Sequence, residues 1–238
     1  MIAPRCNIFV LTTARDTTDP WVYLKATIDQ IEQQNPNCYK AIICDGPYDG
    51  PRFNGWDVLT ETKKNPGNRD AWFALMAAAV ATGGDALCFE DDITICPAGL
   101  DRMLKFYVPQ DLVAVKFFTP KVVQVSPKDG LHRIPSTVKA SAGALFLQAL
   151  KFRHQGMAEM VEFRHHPNYA KHEAGDLAIG QACVDLNLKM GQHKPDLVQH
   201  VGEVSKAGKT KTMPWWHKAG SAWQTEEQIR ALNPEFYV

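Results

Sequence analysis

The sequence predicts an α/β fold: a mixed, mainly parallel sheet flanked by helices, in a single domain. Three observations carry that prediction. Short, nearly continuous apolar runs recur along the first half of the chain, as expected of strands buried on both faces. Segments with helix punctuation separate them. Several of these runs end abruptly in polar residues, where α/β sheets place their ligand sites.

The elements follow in order. Asn7–Thr12 (NIFVLT) reads as the first buried strand. Asp19-Pro20 opens a helix to about Gln34, Asp as cap and Pro at the first helical position, and Asn35-Pro36-Asn37 stops it. Ala41–Cys44 is a second strand ending in Asp45-Gly46-Pro47. Trp56–Thr62 alternates as a third strand should, and Arg69–Thr82 is a helix closed by Gly83-Gly84. Asp85–Phe89 is a buried strand running straight into Glu90-Asp91-Asp92. In the second half, Leu112–Phe118 and Ser141–Leu147 read as strands, and Gln148–Phe163 and Glu173–Met190 as helices. The last ~40 residues are rich in loop formers. No linker separates the halves, so residues 1–95 are expected to form one half of a site and 96–238 the other.

Composition excludes several classes. With 26 basic and 26 acidic side chains in 238 residues, net charge gives no reason to expect nucleic acid. A 45% hydrophobic content excludes general disorder. The longest apolar run, Ala71–Ala81, falls short of the ~18–20 residues of a membrane span and reads as a buried helix. No secretory leader is expected, because Ile8–Leu11 is too short for its apolar core. The six cysteines are scattered without a CxxC pair, which predicts reduced thiols in a cytoplasmic protein.

The strand ends gather Thr12-Thr13-Ala14-Arg15, Asp45-Gly46, Lys63-Lys64-Asn65 and Glu90-Asp91-Asp92. Three consecutive acids after a buried strand repel one another, so one carboxyl must hold its proton or a cation must bind. Alternation in extended chain turns Glu90 and Asp92 the same way, able to share one ion, with Asp91 facing elsewhere. Oxygen ligands favour Mg²⁺ or Mn²⁺. A solvated acidic turn is the alternative. Near the C-terminus, His200 offers a nitrogen ligand, and Gly202 allows close approach of a phosphate that Lys206 would neutralise. Lys206–Thr225 holds four lysines, no acid and three of the six tryptophans, a composition that suits base or sugar stacking. His165, His166 and His172 lack regular metal-ligand spacing. Ser141–Ala144 offers small residues past which a ligand can approach closely.

The run Asn65–Leu75 followed by Gly84–Asp92 resembles the core of GT-A-fold glycosyltransferases, in which a turn and helix precede a strand ending in Asp-x-Asp. His200-Val201-Gly202 with Ser205-Lys206 is similar to their C-terminal His-x-Gly segment. Gln199–Ser205 matches the Gln-His-x-Gly-x-x-Ser form of N-acetylglucosaminyltransferase IV-like enzymes more closely than the His-Gly-Lys form of glycogenin-like and bacterial lipopolysaccharide enzymes. Glu90 replaces the first Asp of the motif. The resemblance covers about 7–95 and 172–206. It implies a nucleotide-sugar donor held through its diphosphate by Mn²⁺ or Mg²⁺ on Asp92, Glu90 and His200. Arg69, Lys206, Gly202 and Ser205 would serve the diphosphate, and Thr12, Arg15, Asp45 and Asp91 the donor side, with UDP as the default nucleotide. Asp176, with Glu173 in reserve, would be the general base of an inverting reaction; a retaining reaction needs neither. The acceptor could be a glycan, a protein, a small molecule or a hydroxylated DNA base. A nucleotidyltransferase on the same sheet would carry a glycine-rich loop after the first strand, which Thr12–Asp16 lacks. A non-catalytic sugar-nucleotide or carbohydrate-binding protein is the remaining alternative.

Overall fold

The structure is a computed structural model that describes residues 6–15, 17–34, 36–61, 68–118, 128–134 and 148–201. Ten strands and five α-helices are described: β1 Cys6–Thr12, α1 Val22–Gln33, β2 Lys40–Asp45, β3 Asp57–Glu61, α2 Arg69–Thr82, β4 Asp85–Glu90, β5 Ile93–Ile95, α3 Gly99–Lys105, β6 Ala114–Lys116, β7 Gly130–Ile134, β8 Ala149–Phe152, α4 His154–Glu162, α5 Gly175–Asp185, β9 Met190–Lys194 and β10 Val198–His200. Eight strands form one sheet in the order β3-β2-β1-β4-β8-β6-β9-β7, and β5 and β10 pair as a separate ribbon.

β3, β2, β1 and β4 run parallel, with Phe9 opposite both Ala41 and Cys88. β8 enters antiparallel between β4 and β6, β9 lies parallel to β6, and β7 closes the edge antiparallel to β9. The sheet separates two cores. Phe9, Leu11, Cys88 and Leu150 face α2, α4 and α5, while Val10, Leu87, Phe89 and Val115 face α1 and α3. The chain moves outward from β1 to β3 and then crosses back to β4 on the other side of β1. Strand order thus reverses between β1 and β4, and a crevice opens beyond their carboxyl ends.

The structure differs from the sequence-based expectation at four places. α1 begins at Val22, because Asp19 Oδ1 accepts the Trp21 amide at 3.1 Å and holds the Asp-Pro pair in a turn. The expected helix from Gln148 is a strand first: Ala149–Phe152 is buried throughout between β4 and β6, and helix starts only at His154. A four-residue buried run carries no period that separates strand from helix. The expected helix from Glu173 runs from Gly175 to Asp185; Asn187, at φ 52°, turns the chain, and Met190–Lys194 becomes β9. The strand expected at Leu112–Phe118 is confined to Ala114–Lys116. Ser141–Leu147 lies outside the described residues.

Candidate functional site

The crevice at the β1/β4 switch point holds the acidic triplet. β4 delivers Glu90 at its last position, and the chain continues through Asp91 and Asp92 into β5. Asp91 is buried. Its carboxylate accepts the Thr12 hydroxyl at 2.6 Å and pairs with the Arg15 guanidinium, while its carbonyl accepts the Thr27 hydroxyl at 2.6 Å. The ends of β1, β4 and helix α1 are thereby tied together through one residue. Arg15 also reaches Asp92 Oδ2 at 3.2 Å and lies 5.4 Å from the Tyr23 ring centroid.

His200 arrives from the far end of the described chain through the β10–β5 ribbon, in which it opposes Ile93. Gln30 of α1 secures that ribbon, its Oε1 accepting the Ile95 amide at 2.8 Å and the Thr94 hydroxyl at 3.0 Å. The Val201 amide donates to the Asp92 carbonyl at 2.9 Å. These bonds bring His200 Nε2 to 3.0 Å from Asp92 Oδ2. Glu90, in register with Leu11, accepts Gln148 Nε2 at 2.8 Å.

The electrostatics separate the acids. Burial pushes the Glu90 carboxyl up, the nearby Asp92 charge adds to this, and the result is about 8. Burial also raises Asp91, and Arg15 only partly offsets it. For Asp92 burial acts upward too, but His200 and Arg15 outweigh it and hold the carboxyl far below the usual range. Burial disfavours a charged His200, yet Asp92, by charge and hydrogen bond, brings its net direction above the ordinary imidazole value.

A divalent cation fits this donor set. Asp92 Oδ1 is buried with no hydrogen-bond partner among the described residues, beside an imidazole nitrogen. An oxygen and a nitrogen donor suit Mn²⁺ or Mg²⁺, which keep other positions for phosphate and water. Among the described residues no three His, Cys, Asp or Glu side chains already stand as a metal cluster. Asp92 and His200 are therefore the pair that would hold the ion, and Glu90 is the further carboxylate acting on both.

The second wall comes from α5. The Arg69 amide donates to the Glu173 carbonyl at 3.1 Å, and the Gly175 amide to Asn68 Oδ1 at 3.0 Å. Gly175 is required here, since a Cβ would lie 2.3 Å from Trp72 Cδ1. This packing sets Asp176 in the first turn of α5, half-buried, where its charge acts on Glu90 and on Lys116. Glu173 is exposed and contributes its carbonyl. Arg69 binds Asp70 at 2.7 Å and the His172 carbonyl at 3.2 Å, and lies 4.5 Å from the Tyr169 ring centroid; these contacts place it on the α5 side. Asp45 is buried at the end of β2, its carbonyl accepting the Thr13 hydroxyl at 3.1 Å. Gly202, Ser205 and Lys206, the tryptophan-lysine segment, Lys63–Asn65 and Ser141–Ala144 lie outside the described residues. His166 stacks on Phe163 and lies 3.5 Å from Asp185, away from the acidic triplet in sequence and contact.

Sequence reasoning missed Thr27, Gln148 and Lys116. Lys116 did carry a signal: a lone lysine inside the apolar run Leu112–Phe118. Thr27 and Gln148 had none, because each acts through a tertiary contact.

No protein-family model matches the chain, and no curated protein matches its sequence. Solved structures do match. A mannosyltransferase from Pyrobaculum calidifontis, solved with GDP-Man and Mn²⁺, superposes with a TM-score of 0.52 at 13% identity, over 83% of this chain and 56% of that one. The present chain thus spans little more than half the length of that enzyme. The inositol-1-phosphate CTP transferase of T. maritima gives 0.50 at 11% identity, over 80% of this chain and 85% of that one. A Drosophila galactosyltransferase 7 mutant with manganese, UDP-Gal and xylobiose gives 0.48 at 10% identity, over 88% and 76%. At such identities the likeness is one of fold, and this chain has a GT-A-type fold.

Proposed function

We propose that the chain is a metal-dependent glycosyltransferase that moves a sugar from a nucleotide-diphosphate sugar to an acceptor hydroxyl. One observation carries this reading. An acidic triplet with Asp91 and Asp92 buried meets His200 in the crevice at the strand-order reversal, and a half-buried carboxylate, Asp176, acts on Glu90 from the α5 wall. Open α/β sheets bind their ligands in that crevice.

Asp92 and His200, with Glu90 beside them, would hold Mn²⁺ or Mg²⁺, and the ion would supply positive charge to the departing diphosphate. Arg15 adds a fixed cation on the β1 side, kept in place by Asp91. Thr12 and Asp45 border the nucleoside, with Arg69 on the α5 side and Gly202, Ser205 and Lys206 completing the diphosphate site. Asp176 takes the proton of the acceptor hydroxyl as its oxygen bonds to the anomeric carbon. The bond from that carbon to the diphosphate oxygen breaks, and the electron pair leaves with the diphosphate; configuration inverts. UDP is the default nucleotide. All of 1–238 works as one domain, with the donor held mainly by residues 1–95. Six free thiols support a cytoplasmic location, and no helix among the described residues is long and apolar enough to cross a membrane. The acceptor class stays as wide as glycan, protein, small molecule or hydroxylated DNA base.

The test is donor turnover. Purified protein is incubated with a panel of nucleotide sugars plus Mn²⁺, Mg²⁺ or chelator, and released nucleoside diphosphate is measured with and without candidate acceptors. Release from one donor, abolished by chelator and by Asp92→Ala, is the expected result. Absence of both release and metal-dependent binding for every donor would overturn the reading in favour of a binding protein. The fold likeness to a CTP transferase favours one second reading, a nucleotidyltransferase. Release of pyrophosphate from a nucleoside triphosphate would select it.

A further inference from the structure

The strand ends opposite the acidic triplet carry a second concavity. Asp85 opens β4 and Glu90 closes it, about 16 Å away along the strand. Beside Asp85 lies a cavity of about 480 Å³, walled by Arg153 and Gln155 at the start of α4 and by Tyr107, Val108 and Gln110 from the loop between α3 and β6. That volume falls within the range of about 300–1,000 Å³ usual for small-molecule sites. The loop is anchored on both sides of its tyrosine. Phe106 packs edge-on against Phe117 and His193, at centroid distances of 5.5 and 5.4 Å, and Val108 is buried in the core that faces α1 and α3. Tyr107 between them is 57% exposed, the most exposed large apolar side chain among the described residues. Its ring is thus displayed to solvent from anchored backbone.

The polar lining is partly committed and partly free. Asp85 is 6% exposed; its Oδ1 accepts the His154 amide at 3.2 Å, and its Oδ2 makes no hydrogen bond among the described residues. Arg153 donates from Nε to the Leu112 carbonyl at 3.1 Å and from Nη1 to Gln155 Oε1 at 3.0 Å, which leaves Nη2 over. The Tyr107 hydroxyl, the Gln110 amide group and Gln155 Nε2 make no hydrogen bond among the described residues. Donors and acceptors therefore stand side by side. One carboxylate and one guanidinium cancel in charge, so Asp85 disfavours an anion and Arg153 a cation. A neutral polyol uses both kinds of polar group at once. The C–H face of a pyranose ring also suits the electron-rich face of an exposed tyrosine.

We propose that this cavity is a binding site for a neutral saccharide, separate from the donor crevice. It needs neither metal nor nucleotide and does not depend on the transferase reading. The full chain, labelled with ¹⁵N and free of metal and donor, is titrated with maltotriose, cellotriose and triacetylchitotriose, and with inorganic phosphate as the charged comparison. The expected result is saturable movement of the Tyr107, Gln110 and Gln155 amide signals by at least one trisaccharide, with those of Asp92 and His200 unmoved. Tyr107→Ala changes an exposed ring and leaves the core intact; it should weaken that binding about tenfold or more, while Tyr107→Phe keeps it within about threefold. No movement with any of the trisaccharides, movement confined to the donor crevice, tighter binding of phosphate, or an affinity indifferent to Tyr107→Ala would each overturn the site. Donor turnover is measured separately, so the transferase reading and the saccharide site can fail independently.

Discussion

Glu90, half-buried, and Asp92, buried, are two residues apart and titrate in opposite directions. Asp92 lies on the side where α1, β1 and the β5–β10 ribbon meet, and two cationic groups, Arg15 and His200, reach it at 3.2 and 3.0 Å. Glu90 lies on the α5 side, where it accepts a hydrogen bond from a neutral amide, Gln148, at 2.8 Å. Burial alone raises both carboxyls; partners decide which stays ionised. One side of the site is thus a charge-saturated clamp. On the other, the pull of His200 and Arg15 does not offset burial and the Asp92 charge, and the acid keeps its proton up to pH about 8.

The clamp predicts the largest effect. Arg15→Met leaves the buried Asp91 with the Thr12 hydroxyl and no cation, while Asp92 keeps His200. Breaking a buried pair from one side costs about 3–5 kcal/mol. Denaturant unfolding at pH 7 should show that loss. It should shrink as pH falls, because Asp91, already raised in the folded state, takes up a proton in place of its lost partner. A loss below about 1 kcal/mol at pH 7 would mean that water screens the pair, and the two sides would no longer differ in kind.

The Glu90 side predicts the pH dependence of metal uptake. Below pH about 8 the Glu90 carboxyl holds its proton, and His200 is held towards its charged form. A metal ion must displace a proton from each ligand it takes, so affinity rises with pH, about tenfold per unit for each proton released, and levels off once Glu90 has ionised. Mn²⁺ titration calorimetry in buffers of different ionisation enthalpy counts those protons directly. Affinity that is flat from pH 6 to 8 would remove both His200 and Glu90 from the ligand set.

How legible the molecule was from sequence follows the same division. β1, β2 and β4 are continuous apolar runs with every strand residue from Ala41 to Cys44 and from Cys6 to Thr12 buried, and their pattern alone placed them. The strands of the second half are three to five residues long and are held by neighbours distant in sequence. Ala149–Phe152 was legible only as part of a helix, and of β9 only Met190 was assigned, as the end of another, because no period survives in so short a run. The acids and His200 stood out by type and by position at strand ends. Their convergence did not, since it depends on a three-residue ribbon, β5 with β10, that brings positions 92 and 200 together. Gln148 was unreadable for the same reason: its function comes from the pairing of β8 with β4.

Gln148 gives the smallest effect and the sharpest check on the comparison. Its Nε2 donates to Glu90 Oε2, and it is 5% exposed, so water cannot readily replace it. A donor stabilises the ionised carboxylate more than the neutral acid, which can itself donate. Gln148→Leu therefore raises the Glu90 midpoint beyond its already high value, by several tenths of a pH unit, and costs about 1 kcal/mol of stability. The Mn²⁺ affinity curve should move to higher pH by the same interval, while the affinity plateau above the midpoint changes little. Asp92 lies on the clamp side, paired with Arg15 and His200, so its ionisation should be unaltered. A uniform loss of affinity at all pH values would show that Gln148 shapes the whole site, and that the division between the two sides does not hold at β8.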